Sequence, residues 1–174
     1  MSGLTIRKAT AADGPFLIRM LAHAAYPPWH EPRPTPAQVL RDPAVARYVV
    51  GWPRPGDAGV VALDRAARRI GAAWYRLLTA PAPGHGYLDD ATPEVAIGIG
   101  ARWRGRGVGT ALMERLLALA EDSGVHRLSL SVSTANPAAV RLYRRAGFET
   151  VREEHGHLLM LWTSVPEPRI HATE

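Results

Sequence analysis

The segment that most constrains the fold is a glycine-rich turn between an apolar strand and an amphipathic helix. Val95-Ala96-Ile97-Gly98-Ile99 is continuously apolar, which is typical of a strand buried on both faces. Arg104-Gly105-Arg106-Gly107-Val108-Gly109-Thr110 follows it, and an apolar stripe with helical spacing starts at Val108. The first amides of a helix have no partner within it and lie at the positive end of its dipole. The turn therefore predicts a site for a phosphate or pyrophosphate.

Two common phosphate-binding motifs fit this turn poorly. The nucleoside triphosphatase loop needs a lysine after its last glycine, and the chain has none near the turn. The dinucleotide fingerprint needs a third glycine or alanine, but Thr110 or Leu112 occupies that position. The first motif is excluded and the second is weak, so the phosphate-bearing ligand has to be identified from other residues.

Composition narrows the class of protein. The chain has 174 residues, of which 47% are hydrophobic and 21% charged, values that favour one globular domain. It has no cysteine, which excludes disulfides and thiolate catalysis and favours a reducing compartment. No apolar signal core or membrane-length run occurs, so we expect a cytoplasmic protein with no membrane partner. The net charge of +5 admits nucleic acid, but no block of like charges supports it, and we expect no nucleic acid partner.

The hydrophobic pattern predicts a mixed α/β fold. Strands are expected at Leu4–Lys8, Gly59–Leu63, Ile70–Tyr75, Val95–Ile99, Leu128–Val132, Phe148–Arg152 and His157–Thr163. Helices are expected from Asp13, from Thr35 toward Val50 with an interruption near Pro43, from the glycine turn to Gly124, and from Pro137 to Gly147. No repeat or linker divides the chain, so we expect one domain over residues 1–174, with residues 165–174 frayed.

Three segments together resemble the GNAT superfamily of N-acetyltransferases. They are Glu94–Ile99, Arg104–Gly109 and Asn136–Phe148, and the resemblance covers about half of the chain. It implies a mixed sheet whose fourth and fifth strands splay apart, with acetyl-CoA inserted between them. No metal is required, because helix amides and arginines supply the positive charge; His155 and His157 alone make a poor metal site.

The resemblance also implies positions for the two parts of acetyl-CoA. The pantetheine arm pairs with the backbone of Ile97, Gly98 and Ile99. The pyrophosphate binds the turn, with contributions from Arg104, Gly105, Arg106, Gly107, Val108, Gly109 and Thr110. Asn136 contacts the cofactor in this scheme, although its position before Pro137 also makes it a helix N-cap.

Two residues are candidates for proton transfer. Tyr143 resembles the superfamily's general acid, which protonates the departing thiolate; the alternative is core packing beside Ala139 and Val140. Glu94 stands where many members carry a carboxylate that accepts the amine proton, often through water; the alternative is a solvated acid at a strand end. Tyr26 and Trp29, in a proline-rich loop, are the candidate acceptor-binding residues.

The sequence thus predicts direct acetyl transfer from acetyl-CoA to a primary amine of a small molecule or peptide. The rival is a non-catalytic module that binds acyl-CoA in the same cleft. The sequence specifies neither the amine nor the acyl group beyond acetyl, and it leaves a homodimer open.

Overall fold

A computed structural model describes residues 3–26 and 30–164. The strands are β1 (Thr5–Lys8), β2 (Ala58–Leu63), β3 (Arg69–Arg76), β4 (Glu94–Ile99), β5 (Arg127–Ser133), β6 (Glu149–Glu154) and β7 (His157–Thr163). The helices are α1 (Gly14–Ala25), α2 (Pro36–Arg41), α3 (Pro43–Ala46), α4 (Val108–Asp122) and α5 (Pro137–Arg145). Within the described ranges, no helix is both long and apolar enough to cross a membrane.

All seven strands form one mixed sheet in the order β1-β2-β3-β4-β5-β7-β6. Adjacent strands are antiparallel except β4 and β5, which are parallel. Six residue pairs join β3 to β4 and seven join β5 to β7. In the described chain, β4 and β5 share a single pair, Glu94 with Ser129. The centre of the sheet is therefore its least paired junction.

Helices cover the sheet on both faces, so the protein has a core on each side. Successive side chains of a strand point alternately into the two cores. Val95, Ile97 and Ile99 of β4 pack into the core formed with α4 and α5. Ala96, which lies between them, packs into the second core, formed with α1, α2 and α3. Because side chains alternate across a strand, Glu94 belongs to the same face as Ala96. The apolar β4 run thus reflects burial on both faces, as its composition predicts.

Gly98 allows α1 to contact the sheet closely. A Cβ built on Gly98 would overlap the carbonyl oxygen of Met20 and lie 2.7 Å from its carbonyl carbon. The main chain of α1 therefore rests directly on β4. This gives a packing reason for glycine at a position that the sequence associates with cofactor binding.

Most element boundaries agree with the predicted ones, and the differences lie in short turns. The helix expected from Thr35 toward Val50 is interrupted at Pro43 as predicted, because Asp42 caps a new helix by accepting a hydrogen bond from Ala44 N–H and Pro43 starts it. Its second part ends at Ala46, short of the expected Val50. Phe148 precedes β6 and is buried in the core rather than paired in the strand. The turn before Arg104 contains a 3-10 helix, Ala101–Trp103, that the sequence does not predict.

Candidate active site

The glycine turn presents a run of unpaired backbone donors. The backbone N–H groups of residues 105–110 have no hydrogen-bond partner among the described residues. The first N–H group after them that donates to the turn is that of Ala111, which bonds to Gly107 O at 3.1 Å. Gly105 and Gly107 have positive φ angles of 67° and 76°, which glycine adopts without strain. No atom lies within 4 Å of a Cβ built on Gly105, so a ligand can approach its backbone. The residues present fit an extended anion such as a pyrophosphate.

Both arginines of the turn already contact neighbouring side chains. Arg104 Nη2 lies 3.2 Å from Nδ1 of His23 on α1. The Arg106 guanidinium lies over the Trp103 ring, 5.6 Å from its centroid. Burial, followed by the nearby charges of Arg33 and Arg104, lowers the pKa of His23, which favours the neutral ring that accepts from Arg104.

The backbone of Ile97, Gly98 and Ile99 is paired on one edge. These residues pair with Ala73, Ala72 and Gly71 of β3. On the other edge, the described part of β5 offers no partner after the pair at Glu94. An extended ligand chain can therefore hydrogen-bond to β4 in the manner of an added strand.

Tyr143 combines a buried ring with a hydroxyl that has no protein hydrogen-bond partner among the described residues. It lies on α5 with its side chain in the core of the α4 and α5 face, 8% exposed, and its ring meets Phe148 edge to face at 6.0 Å between centroids. Its hydroxyl has no hydrogen-bond partner among the described residues, and since no fully buried side-chain oxygen there lacks a partner, this hydroxyl reaches the protein surface. Burial raises the pKa of the phenol, so the group stays protonated at neutral pH and can donate a proton.

Asn136 is a helix cap. Its side-chain oxygen accepts a hydrogen bond of 3.2 Å from Ala139 N–H, and Pro137 follows at the first position of α5. The capping role read from the sequence is confirmed. A cofactor contact stays a prediction.

Glu94 lies in an enclosed hydrogen-bond network. Its carboxylate, on a residue 1% exposed, accepts from the Tyr48 hydroxyl at 2.9 Å, Gly84 N–H at 3.0 Å and Gly86 N–H at 2.7 Å. The Tyr48 hydroxyl in turn accepts from His85 N–H at 2.7 Å. Burial raises the pKa of Glu94, and these hydrogen bonds oppose the shift. The solvated strand-end acid considered from the sequence is therefore wrong.

The network fixes a loop across the junction of β4 and β5. Trp74 Nε1–H donates to the Tyr48 carbonyl at 2.9 Å, which ties the segment after α3 to the sheet. Ser129 Oγ donates to Gly86 O at 2.7 Å. A Cβ on Gly86 would lie 2.8 Å from the Leu130 carbonyl carbon, so this glycine lies directly on β5.

A cavity of about 240 Å³ opens beside this loop. Its walls are formed by His85, Ser131, Arg152, Glu154, His155, His157 and Leu159. Leu130 and Met160, which alternate with Ser131 and Leu159 along their strands, point into the opposite core with Tyr143. The cavity and Tyr143 therefore lie on opposite faces of the sheet.

Of the two residues predicted to bind the acceptor, the structure describes Tyr26 only. Tyr26 ends α1, and its ring lies 5.3 Å from that of His30. Trp29 lies outside the described residues, as does the segment 165–174 expected to fray. Among the described side chains, no group of three or more histidines or acids is arranged to hold a metal ion.

Comparison with known proteins assigns this arrangement to a family. Residues 16–148 match the model of the acetyltransferase (GNAT) family, which is more than half of the chain. The chain belongs to the GNAT acetyltransferase family. The resemblance seen in the sequence is thereby confirmed.

Named GNAT relatives act on different molecules. L-methionine sulfoximine/L-methionine sulfone acetyltransferase from Pseudomonas paraeruginosa is 29% identical over 83% of this chain and 80% of its own length. L-2,4-diaminobutyric acid acetyltransferase from Nocardia farcinica is 25% identical over 78% of this chain and 84% of its own. Mycothiol acetyltransferase from Propionibacterium freudenreichii is 27% identical over 71% of this chain, which spans only 38% of that enzyme.

Solved GNAT structures share the fold. The GNAT domain of S. lividans PAT superposes with a TM-score of 0.66 at 22% identity, covering 91% of this chain and 89% of that one. A phosphinothricin acetyltransferase from Sinorhizobium meliloti, solved with acetyl-CoA, gives 0.62 at 23% identity over 92% and 88%. The mixed α/β fold expected from the sequence is confirmed.

The structure brings together residues that sequence reasoning did not connect. Tyr48 and the Gly84–Gly86 loop meet Glu94 across 46 and 8 to 10 positions of sequence. No periodicity relates them. The only available signal was the Gly84-His85-Gly86 spacing, which indicates a close backbone approach.

Proposed function

We propose that this protein transfers the acetyl group of acetyl-CoA to the primary amine of a small molecule by direct attack. The observation that carries the proposal is the run of unpaired amides at residues 105–110, placed at the start of a 15-residue helix and beside the unpaired edge of β4. Together they fit a pyrophosphate followed by an extended arm. Membership of the GNAT family supports the same donor.

The single pair between β4 and β5 supports a cleft at this junction. In the proposal the two strands diverge beyond Glu94, and the pantetheine arm hydrogen-bonds to Ile97, Gly98 and Ile99. The turn from Arg104 to Thr110 holds the pyrophosphate, and Asn136 borders it at the start of α5. Bound acetyl-CoA supplies an activated thioester carbonyl, and a β4 amide near Ile99 polarises it.

Proton transfers divide between the two faces of the sheet. Tyr143, on the α4 and α5 face, protonates the sulfur that leaves, because its buried phenol retains its proton. Glu94, on the other face, assists removal of the amine proton without contacting the amine. A bridging group is needed, since the carboxylate is enclosed by three donors. The chain has no cysteine, so no acetyl-cysteine forms on it.

The acceptor is proposed to be a small, amino-acid-like amine. Two relatives that match most of this chain are named for diaminobutyric acid and for methionine sulfoximine and sulfone. The cavity of about 240 Å³ is large enough for a small amino acid, and it is lined by polar and charged side chains. Tyr26 and Trp29 remain candidates for binding the acceptor amine.

The experiment measures CoA thiol release from acetyl-CoA with a panel of amines. The panel contains L-2,4-diaminobutyrate, L-methionine sulfone, spermidine and a tripeptide with an N-terminal alanine. Amine-dependent release with an amino acid is expected. Saturable acetyl-CoA binding without release for any amine would instead favour the non-catalytic acyl-CoA-binding module.

A further inference from the structure

The Glu94 carboxylate is inaccessible to an amine. Glu94 is 1% exposed, and both of its oxygens accept hydrogen bonds from Tyr48, Gly84 or Gly86. A Cβ on Gly84 would overlap both carboxylate oxygens, so the loop packs tightly over them. An amine that loses its proton on this side of the sheet must therefore transfer it to a group other than the Glu94 carboxylate.

His85 lies between the two glycines that close over Glu94. Its backbone N–H binds the Tyr48 hydroxyl at 2.7 Å, and its ring lies parallel to the Tyr48 ring, at 9° and 6.5 Å between centroids. The residue is exposed and forms part of the cavity wall beside Ser131. The network holds the backbone of His85, and this exposed residue belongs to the wall of the space proposed for the amine.

We propose that His85 is the catalytic base for the amine and that Glu94 is its positioning residue. The inference rests on the proposed acetyl transfer and deepens it. A neutral imidazole nitrogen accepts a proton from the ammonium, and the buried negative charge of Glu94 stabilises the resulting imidazolium. Glu94 also orients His85 through the two flanking amides. The two residues divide the role that the sequence assigned to Glu94 alone.

Other charged groups border the same cavity. Arg152 and Glu154 of β6 lie 3.4 Å apart, so their charges largely offset one another. The other ionisable residues of the cavity wall are His155 and His157, on the β6–β7 hairpin. His155 lies 3.7 Å from Glu154, and His157 Nδ1 lies 3.2 Å from the His155 carbonyl. His85 is distinguished from them by its attachment to the Glu94 network at the β4–β5 junction.

The protons of the acetyl transfer balance when His85 accepts one from the amine and Tyr143 donates one to the sulfur. The ammonium gives one proton to His85, and the freed amine lone pair forms a bond to the thioester carbon. The carbon–sulfur bond then breaks, and sulfur receives a proton from Tyr143. The amide nitrogen loses its second proton, which restores Tyr143 by way of solvent. The net products are the acetamide, the CoA thiol and one proton, which His85 releases to solvent.

The test compares His85→Gln and His85→Ala with His126→Gln, a control at an exposed histidine outside the site. With the best amine from the panel, both His85 variants should lose kcat by about 10²- to 10⁴-fold while keeping the wild-type acetyl-CoA affinity. The pH profile of kcat/KM should differ from that of the wild type. Added imidazole should restore part of the rate of His85→Ala, which a purely structural loss would not allow.

Three results would overturn the inference. They are an unchanged kcat and pH profile in His85→Gln, a matching loss in His126→Gln, or loss of acetyl-CoA binding without imidazole rescue. If the wild-type protein releases no thiol with any amine of the panel, the proposed function fails and this inference fails with it. If the wild type is active and His85→Gln equals it, only the base assignment fails.

Discussion

The Tyr48 hydroxyl donates a 2.9 Å hydrogen bond to Glu94 and accepts one of 2.7 Å from His85 N–H. One buried oxygen thus joins the segment after α3, the start of β4 and the loop between β3 and β4. Because Ser129 binds the same loop, the contact also reaches β5. This face of the sheet at the β4–β5 junction is therefore held by a polar network inside an otherwise apolar layer.

Tyr48→Phe should destabilise the protein by about 1–3 kcal/mol, since it removes a donor from a buried carboxylate and an acceptor from a buried amide. Urea unfolding monitored by tryptophan fluorescence measures the change. Tyr87→Phe is the matched control, because the Tyr87 hydroxyl binds Asp90 on an exposed loop. Equal losses in the two variants would contradict a special role for the buried network.

The effect of Tyr48→Phe should depend on pH. Burial already raises the folded-state pKa of Glu94 above its usual value of 4.5, and loss of the Tyr48 hydrogen bond raises it further. The folded state then holds a proton that the unfolded state has released, so stability falls as pH rises through this window. The difference between variant and wild type should be larger at pH 7 than below pH 4.5. A difference independent of pH would refute this assignment.

The geometry of the glycine turn and its flanking elements could be predicted from the sequence because its determinants are local. The apolar β4 run, the glycine turn, the α4 stripe and the Asn136-Pro137 start of α5 are each contiguous, and each encodes its own backbone conformation. Gly105 and Gly107 adopt the positive φ angles that their spacing suggests. The family resemblance rests on these same segments and is confirmed by the match over residues 16–148.

The network around Glu94 could not be predicted in the same way because its contacts are non-local. Tyr48 reads as an ordinary apolar position near a helix end, and only folding brings it to Glu94. Gly98 illustrates the opposite problem: its residue type is explained by the approach of Met20 on α1, whereas the sequence linked it to a ligand. Local pattern does not separate these causes.

Gly98→Ala should be strongly destabilising despite adding one methyl group. Its Cβ would overlap the Met20 carbonyl oxygen, so α1 must shift, at a cost of about 1–3 kcal/mol. Gly14→Ala, at the first residue of α1, is the control, since its nearest contact is an ordinary 3.8 Å to Trp52. Thermal unfolding should separate the two, and acetyl-CoA affinity should fall only in Gly98→Ala. Equal stabilities would show that α1 adjusts freely.

Asp13 should make the protein sensitive to acid. Its carboxylate, 1% exposed, accepts two bonds from Arg7 at 2.7 and 2.8 Å and one from Thr10 N–H at 2.8 Å. These contacts, with the Arg7 hydrogen bond largest, hold the pKa of Asp13 well below its usual value of 3.8. The stabilisation is complete above that value and is lost as pH falls through the folded-state pKa.

Asp13→Asn should therefore lower stability at pH 7 by about 1.5–3 kcal/mol, the range for hydrogen bonds to charged groups. Its stability should also change less than that of wild type between pH 5 and pH 2, where the Asp13 contribution is being lost. Unfolding titrations at several pH values compare the two slopes. Parallel slopes would show that another carboxylate controls the acid response.

Tyr143→Phe should slow acetyl transfer by about 10²- to 10⁴-fold, because the leaving sulfur loses its proton donor. Stability should change little, since the hydroxyl has no hydrogen-bond partner among the described residues and the ring contact with Phe148 is kept. Burial raises the pKa of Tyr143, so wild-type activity should show no descending limb from this group up to about pH 10. Steady-state kinetics and acetyl-CoA titration separate a fall in kcat from a change in affinity. Wild-type turnover in Tyr143→Phe, with equal affinity, would assign the residue to core packing alone.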